Sequence, residues 1–447
     1  MSEIPRVLIA AEHASARFGG EAALPLHYFR VLRRRGIPVW LVTHARTRDE
    51  LSQLYPDDPR IVYIEDTRWH RAMWRIGQRL PDAVSYVSTG FLSRLSTQLV
   101  QRRIIARLVR ENDIGVVHQP MPVSPREPSL LHGFGVPVLI GPMNGGMDYP
   151  PAFRRRRGLA ERLLMRSGRA SAAALSLLMP GKRRAAMLLV ANRRTRDALP
   201  AGVCNHVVEL VENGVDLGLW RAPSADGERP ASAVVTFVFM GRLVGWKAVD
   251  VLLHAFARAR GSTPMRLSIL GDGDERERLE SLAKELGIGV GEAAGAGGVH
   301  FAGWLAQSDC ADRLREADCL VLPSLLECGG AVVLEAMSMA KPVIATAWGG
   351  PLDYLDASCG VLVPATSREA MVEAFAAAMV DMAISTSKRQ RLGAMGLSKV
   401  RREFDWELKV DRMLGLYKEA IRQHAARVPS SPTPPDSIQP SNREHMP

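Results

Sequence analysis

Short runs of Val, Ile and Leu recur along the chain. Each is followed by a polar or glycine-containing turn and then by apolar positions at helical spacing. In the first half the runs fall at residues 6–11 (RVLIAA), 38–43, 115–118, 137–140 and 186–192. In the second half they fall at 235–240 (VTFVFM), 266–271, 299–303, 318–323, 342–346 and 360–363. Runs that are apolar at nearly every position suit strands covered on both faces, hence parallel sheets fed by crossover helices. The alternation occurs twice, with a break near residues 200–232. This predicts an α/β chain of two Rossmann-like, doubly wound domains facing each other across a cleft. The pattern divides the chain into a first domain over 1–204, a second over 205–402, a last amphipathic helix over 403–426 able to cross back to the first domain, and a Pro/Ser-rich tail over 427–447 expected to be disordered.

Length and composition agree with this reading. The 447 residues, 47% hydrophobic and 23% charged, fit two or three folded domains and exclude global disorder. The net charge of +11 is local: between residues 151 and 197 thirteen Lys/Arg face two acids, so the rest of the chain sums to zero. A protein that coats nucleic acid is not indicated, whereas a basic docking patch over 154–184 is. Arg162, Arg166 and Arg169 would share one face of a helix there, suiting an anionic membrane surface; a solvated face or a protein contact is the alternative. Five cysteines with no C-x-x-C pair suggest neither a disulfide framework nor a zinc cluster. The expected location is cytoplasmic, with contact to the inner face of the membrane through the basic segment.

In open parallel sheets ligands bind at the carboxyl ends of strands, where loops meet helix starts. The first run leads to Phe18-Gly19-Gly20-Glu21 ahead of a helix, where glycines let the backbone approach a ligand; an ordinary turn is the plainer alternative. The run at 235–240 ends in Gly241-Arg242-Leu243-Val244-Gly245-Trp246-Lys247. Cations at a helix start oppose its dipole unless something negative sits between them. Arg242 and Lys247 therefore point to an anion such as a diphosphate, against the alternative of two solvated charges. Gly271-Asp272-Gly273-Asp274 lacks the full dinucleotide spacing. It reads as a tight turn lining a nucleotide pocket, or as a turn without a ligand.

The densest segment is Pro323-Ser324-Leu325-Leu326-Glu327-Cys328-Gly329-Gly330-Ala331, continuing as a helix through Glu335. That helix is apolar nearly all round, and a carboxylate within it is costly without partners. Glu335 suits the two hydroxyls of a ribose; a structural ion pair with a buried Arg or Lys is the alternative. Glu327 suits sugar hydroxyls, and Gly329-Gly330 offers backbone N–H groups. His118, at the end of a run, is placed at the ligand edge of the first domain, with a histidine satisfied by backbone as the alternative.

Glu327 and Glu335 with seven residues between them, the Gly241-Arg242…Lys247 loop, Gly271-Asp272-Gly273, Asn213-Gly214-Val215-Asp216, Phe301-Ala302-Gly303 and Ala347-Trp348-Gly349-Gly350 together resemble a retaining glycosyltransferase of family four. The resemblance is dense over 205–425 and thinner over the first half, through Gly19-Gly20 and His118. It implies the two-domain GT-B fold, with 1–204 the acceptor-side domain and 205–402 the nucleotide-sugar-binding domain, and a nucleotide-sugar donor, UDP- or GDP-linked, used as substrate with no metal or other cofactor. Its implied acceptor is a saccharide or lipid-linked saccharide, in polysaccharide or glycolipid synthesis. Carried over, Arg242 and Lys247 bind the diphosphate, Glu335 the ribose, and Glu327 the donor sugar. Gly329, Gly330 and Ala331 supply main-chain contacts, Gly19 and Gly20 approach from the opposite domain, Gly271 and Gly303 line the donor side, and His118 lies near the reacting sugar, to hydrogen-bond a hydroxyl of the donor or help the acceptor lose its proton. A front-side displacement follows, with the departing phosphate taking the acceptor proton. Cys328, Asp274 and Trp348 depart from the family pattern and leave the donor sugar open. A nucleotide-sugar epimerase, a phosphorylase, or a non-catalytic nucleotide-sugar-binding partner are the alternative functions.

Overall fold

The structure, a computed structural model, describes residues 4–79, 89–154, 178–222 and 234–427. Strands β1 (Val7–Ala10), β2 (Val39–His44), β3 (Ile61–Ile64), β4 (Val116–Gln119), β5 (Val138–Met143), β6 (Met187–Val190) and β7 (Val207–Glu209) form one sheet, in the order β3-β2-β1-β4-β5-β6-β7. A second sheet contains β8 (Val235–Met240), β9 (Met265–Leu270), β10 (Val299–Gly303), β11 (Cys319–Leu322), β12 (Val343–Thr346) and β13 (Gly360–Val363), in the order β10-β9-β8-β11-β12-β13. Neighbouring strands pair in parallel, as in the register Val235↔Met265 through Met240↔Leu270. Both orders reverse direction at the first-formed strand, which puts the crevice for a ligand at its carboxyl end.

Side-chain alternation separates two cores on the first sheet. Val7, Ile9, Val39 and Leu41 face one layer, while Leu8, Ala10, Trp40 and Val42 face the other. The first layer is closed by the helix Gly20–Arg34 and by the last helix, Trp406–Arg427. In the last helix Trp406, Val410, Met413, Tyr417 and Ala420 recur at helical spacing and bury against first-sheet residues. Arg35 fastens the two helices by donating from Nε to Glu407 (2.6 Å) and from a terminal nitrogen to Asp411 (2.6 Å). The polypeptide thus leaves the first domain, builds the second around its own core, and returns to finish the first.

The structure adjusts several sequence-based expectations. β3 and β7 join the first sheet, and because β7 lies past residue 204 the first domain runs beyond the expected boundary. An additional helix, Thr386–Glu403, precedes the last one, which starts at Trp406 rather than 403. Residues 155–177, most of the expected basic face, and nearly all of the expected tail lie outside the described residues. Among the described residues no single helix is long and apolar enough to cross a membrane.

The tie between last helix and first sheet includes one polar contact inside the apolar layer. Tyr417 donates its hydroxyl proton to Nδ1 of His118 (2.7 Å), and His118 Nε2 donates to the Gly141 carbonyl (2.7 Å). Replacing Tyr417 by Phe leaves a buried imidazole nitrogen without its donor, a loss of about 1–3 kcal/mol. Urea unfolding of Tyr417→Phe is expected to show a lower midpoint than wild type.

Candidate active site

Loop crowding positions the donor-side residues. After β8 the chain passes through Gly241 and Arg242 into a single turn at Gly245–Lys247. Ala248 then takes a left-handed backbone (φ +50°), strained for a residue with a Cβ, before the helix Val249–Ala259 begins. The loop is laced to its neighbours: Leu243 N–H donates to the Asp272 carbonyl (2.9 Å) and Gly271 N–H to the Gly303 carbonyl (2.8 Å). A Cβ on Gly271 would lie 2.0 Å from the Gly241 carbonyl oxygen. Gly271 and Gly303 therefore stand behind the loop and hold it. Asp272 accepts from Gly273 N–H (2.8 Å) and faces Arg276, and neither it nor Asp274 lines the cleft.

After β11 the chain carries Glu327, Cys328, Gly329 and Gly330 into the helix Ala331–Ser338. The Lys247 ammonium pairs with the Glu327 carboxylate, both largely shielded from solvent. The Glu327 carbonyl accepts from Gly350 N–H (2.7 Å). A Cβ on Gly350 would meet the Gly329 carbonyl at 2.0 Å, so backbone packs on backbone here. A cavity of about 310 Å³ opens between the domains, lined by Gly20 of the first and by Lys247, Glu327, Gly329, Gly330 and Ala331 of the second. Gly19 adjoins it with φ +98° at the start of the first helix. Arg242 is exposed beside Gly241, a lining residue. Glu335 lies four residues beyond Ala331, on the same helix face.

Glu335 is partly buried, and among the described residues its carboxylate has no hydrogen-bond or ion-pair partner; its backbone carbonyl accepts from the Ser338 hydroxyl (2.7 Å). Burial alone raises its pKa to about 8. The structural ion pair weighed as an alternative is absent among the described residues.

His118 is not at the cleft. It is fully buried, with both ring nitrogens occupied, and burial pushes its pKa down to about 4. Its register opposite Ile9 on β1 and Leu139 on β5 places it on the layer closed by the last helix. It is a neutral structural histidine, and the expected role beside the reacting sugar is corrected on that ground. Lys182, counted in the basic patch, is also buried; its ammonium donates to the Ser124 and Pro125 carbonyls (2.9 Å each).

Several cleft residues escaped the sequence reading. Glu212, buried between the domains, accepts from Asn144 Nδ2 (2.6 Å) and Asn213 Nδ2 (3.0 Å). Asn144 also donates to the Cys328 carbonyl (2.8 Å), joining the first domain to the donor loop. Burial raises the pKa of Glu212, and its second oxygen has no hydrogen-bond partner among the described residues. Asn144 precedes a glycine just past β5, its only sequence signal, whereas Asn213 opens the Asn213-Gly214-Val215-Asp216 motif of the resemblance. His44, Asp66 and His70 bring ligand-type atoms within 4.8 Å of one another. However, Nδ1 of His44 and of His70 accepts a backbone N–H, from Arg46 and Thr67, which leaves the proton on Nε2. Arg46 occupies Asp66 at 2.9 Å. The hydrogen bonds of the three side chains run to neighbours outside the trio, and none of the three lines the cleft cavity.

Two facing parallel α/β domains with the cleft between them define the GT-B class of fold. Residues 234–381 match the family described as "Glycosyl transferases group 1". The match lies within the second domain. The chain is 32% identical over 231 residues to a D-inositol 3-phosphate glycosyltransferase of Segniliparus rotundus, covering 48% of this chain and 47% of that protein. It is 34% identical over 190 residues to the lipopolysaccharide core biosynthesis glycosyltransferase LpsE of Rhizobium meliloti, covering 42% and 51%. The chain thus spans about half the length of the curated relatives it matches. Among solved structures, a glycosyltransferase from Rickettsia africae superposes with a TM-score of 0.63 at 15% identity over 94% of this chain and 100% of that one. HepE of Anabaena, solved with UDP and glucose, gives 0.59 at 15% identity over 93% and 100%. These likenesses show the fold.

The unpaired Glu335 has a stability signature. Unfolded, it loses its proton near 4.5; folded, it holds it to about 8. The folded state is therefore favoured below this window and loses stability as pH rises through it. Without donor, Glu335→Gln is expected to melt higher than wild type at pH 8 and at nearly the same temperature at pH 4.5, read by calorimetry across pH.

Proposed function

We propose that the chain is a retaining glycosyltransferase. It moves a sugar from a nucleoside-diphosphate donor to a saccharide or lipid-linked saccharide acceptor, at the cytoplasmic side of a membrane, in polysaccharide or glycolipid synthesis. The observation that carries the reading is the convergence of Gly20, Lys247, Glu327, Gly329, Gly330 and Ala331 on one cavity, with Glu335 on the adjoining helix face. The names of the curated relatives, all glycosyltransferases, and the UDP and glucose in HepE support the donor class.

In this reading the donor diphosphate lies against Lys247, with Arg242 closing from the rim. The orphan N–H groups at the start of the Ala331–Ser338 helix add to both cations. Glu327 exchanges part of its pairing with Lys247 for hydroxyls of the donor sugar. Ribose hydroxyls donate to Glu335, which favours its ionised form and lowers its pKa, so donor binding near neutral pH releases a proton. The acceptor oxygen bonds to the anomeric carbon as the bond from that carbon to phosphate oxygen breaks. The acceptor proton passes to the departing phosphate, and Lys247 and Arg242 stabilise the charge developing there. Attack from the face the diphosphate leaves gives retention. No protein nucleophile, metal or organic cofactor takes part, and His118 is outside the reaction.

The basic segment 154–184 remains a proposed contact with anionic lipid. Sedimentation with liposomes is expected to increase with anionic lipid content and to fall at high salt. Lys247→Ala is expected to lower kcat about 10²-fold or more while circular dichroism stays unchanged. Glu335→Ala should instead weaken donor binding about tenfold or more, measured by calorimetric titration with the nucleotide sugar. Proton NMR of the product should show the donor's anomeric configuration kept.

A further inference from the structure

A second cavity, of about 180 Å³, lies wholly in the first domain and shares a wall with the donor cavity: Glu21 lines both. Its floor is built of buried amides. Gln98 Oε1 accepts from Leu130 N–H (2.7 Å), Gln119 Oε1 accepts from the Ser129 hydroxyl (2.6 Å), and Gln101 Nε2 donates to the Ala11 carbonyl (3.0 Å). All three side chains are more than nine-tenths buried and line the cavity. The opposite end of each amide, Nε2 of Gln98 and Gln119 and Oε1 of Gln101, has no hydrogen-bond partner among the described residues. Amides anchored at one end, with the other end free in the cavity, suit a ligand that both donates and accepts, as a hydroxyl does.

The charges narrow the ligand further. Glu12, Glu21 and Glu127 line the cavity against one cation, Arg94, which is held by Glu127 at 2.6 Å. The nearby Lys182 ammonium is committed to two carbonyls. A phosphate here would meet carboxylates with no uncommitted cation lining the wall, whereas hydroxyls or an ammonium would be matched. Burial raises the pKa of Glu12 and Glu21, but a protonated carboxyl supplies a hydroxyl donor without adding a cation for a phosphate.

We infer that this cavity is the acceptor subsite and that it takes a neutral or amine-bearing sugar ring, excluding acceptors phosphorylated on the ring that enters it. The inference rests on the glycosyltransferase reading and adds the acceptor's chemical class to it. It separates this chain from its relatives named for D-inositol 3-phosphate.

The test pairs acceptors that differ only in phosphate: myo-inositol against inositol 3-phosphate, and glucosamine against glucosamine 6-phosphate. Each is titrated by saturation-transfer NMR against the full-length protein with UDP bound. Calorimetry measures UDP binding separately. The neutral and amine-bearing members are expected to bind at least tenfold tighter than their phosphorylated partners. Glu12→Gln removes a carboxylate that lines the cavity without a hydrogen-bond partner among the described residues, and should weaken glucosamine severalfold and leave the UDP Kd unchanged. Equal or tighter binding of the phosphorylated members, or no effect of Glu12→Gln on glucosamine, would overturn the assignment while UDP binding keeps the donor site standing. Absence of UDP binding to wild type would bring down the transferase reading, and this inference with it.

Discussion

Backbone packed on backbone is the constraint from which the cleft follows. At Gly350 against the Gly329 carbonyl, Gly349 against the Glu327 carbonyl and Gly271 against the Gly241 carbonyl, an added Cβ would stand 2.0–2.3 Å from a main-chain oxygen. Gly349 and Gly271 also hold left-handed or extended-positive backbones (φ +71° and +135°) that side chains rarely adopt. These contacts bring the loops after β8, β9, β11 and β12 into one rigid rim. Lys247 and Glu327 can then pair on the cavity wall, and Glu335 can sit unpaired on the helix behind.

The first domain completes that rim. Asn144 joins Glu212 to the Cys328 carbonyl, Asn192 donates to Asp353 (2.8 Å), and the Trp348 indole donates to the Asp148 carbonyl (2.8 Å). The last helix contributes from a distance. Its Lys409 donates to the Val211 and Asn213 carbonyls beside Glu212, while burial pulls the lysine pKa down. Its Tyr417 fixes the tautomer of His118. Buried polar groups of this kind contribute little net stability when satisfied but are costly when broken. They hold the two domains at one mutual orientation around the cleft.

Most of the fold was legible because parallel strands covered on both faces are apolar throughout, and each of the eleven expected runs overlaps an observed strand. The strands that escaped were short or half-buried: β3 alternates partly exposed Val62 and Tyr63 between buried ends, and β7 is a three-residue edge. On the donor side, glycines, cations and carboxylates at strand ends carry their geometry in local sequence, so Gly20, Lys247, Glu327 and Gly329–Ala331 could be placed together. His118 could not be resolved this way. Which face of β4 a side chain takes depends on register, and which face is sealed depends on a helix 299 positions away. One step along, Gln119 takes the opposite face and lines the first-domain cavity. Glu212 and Asn144 meet only through the tertiary fold, which no local spacing encodes.

In the proposed function this cleft grips an activated sugar through its diphosphate and ribose together. Thermal unfolding of the wild-type protein against nucleotide sugars, nucleoside diphosphates, nucleoside monophosphates and free sugars measures that directly. At a hundredfold excess over Kd a ligand adds about 2.7 kcal/mol to folding. A clear rise in melting temperature is expected with one nucleotide sugar and with its nucleoside diphosphate, and little with the monophosphate or the free sugar. Equal protection by the free sugar, or none by any nucleotide sugar, would contradict it.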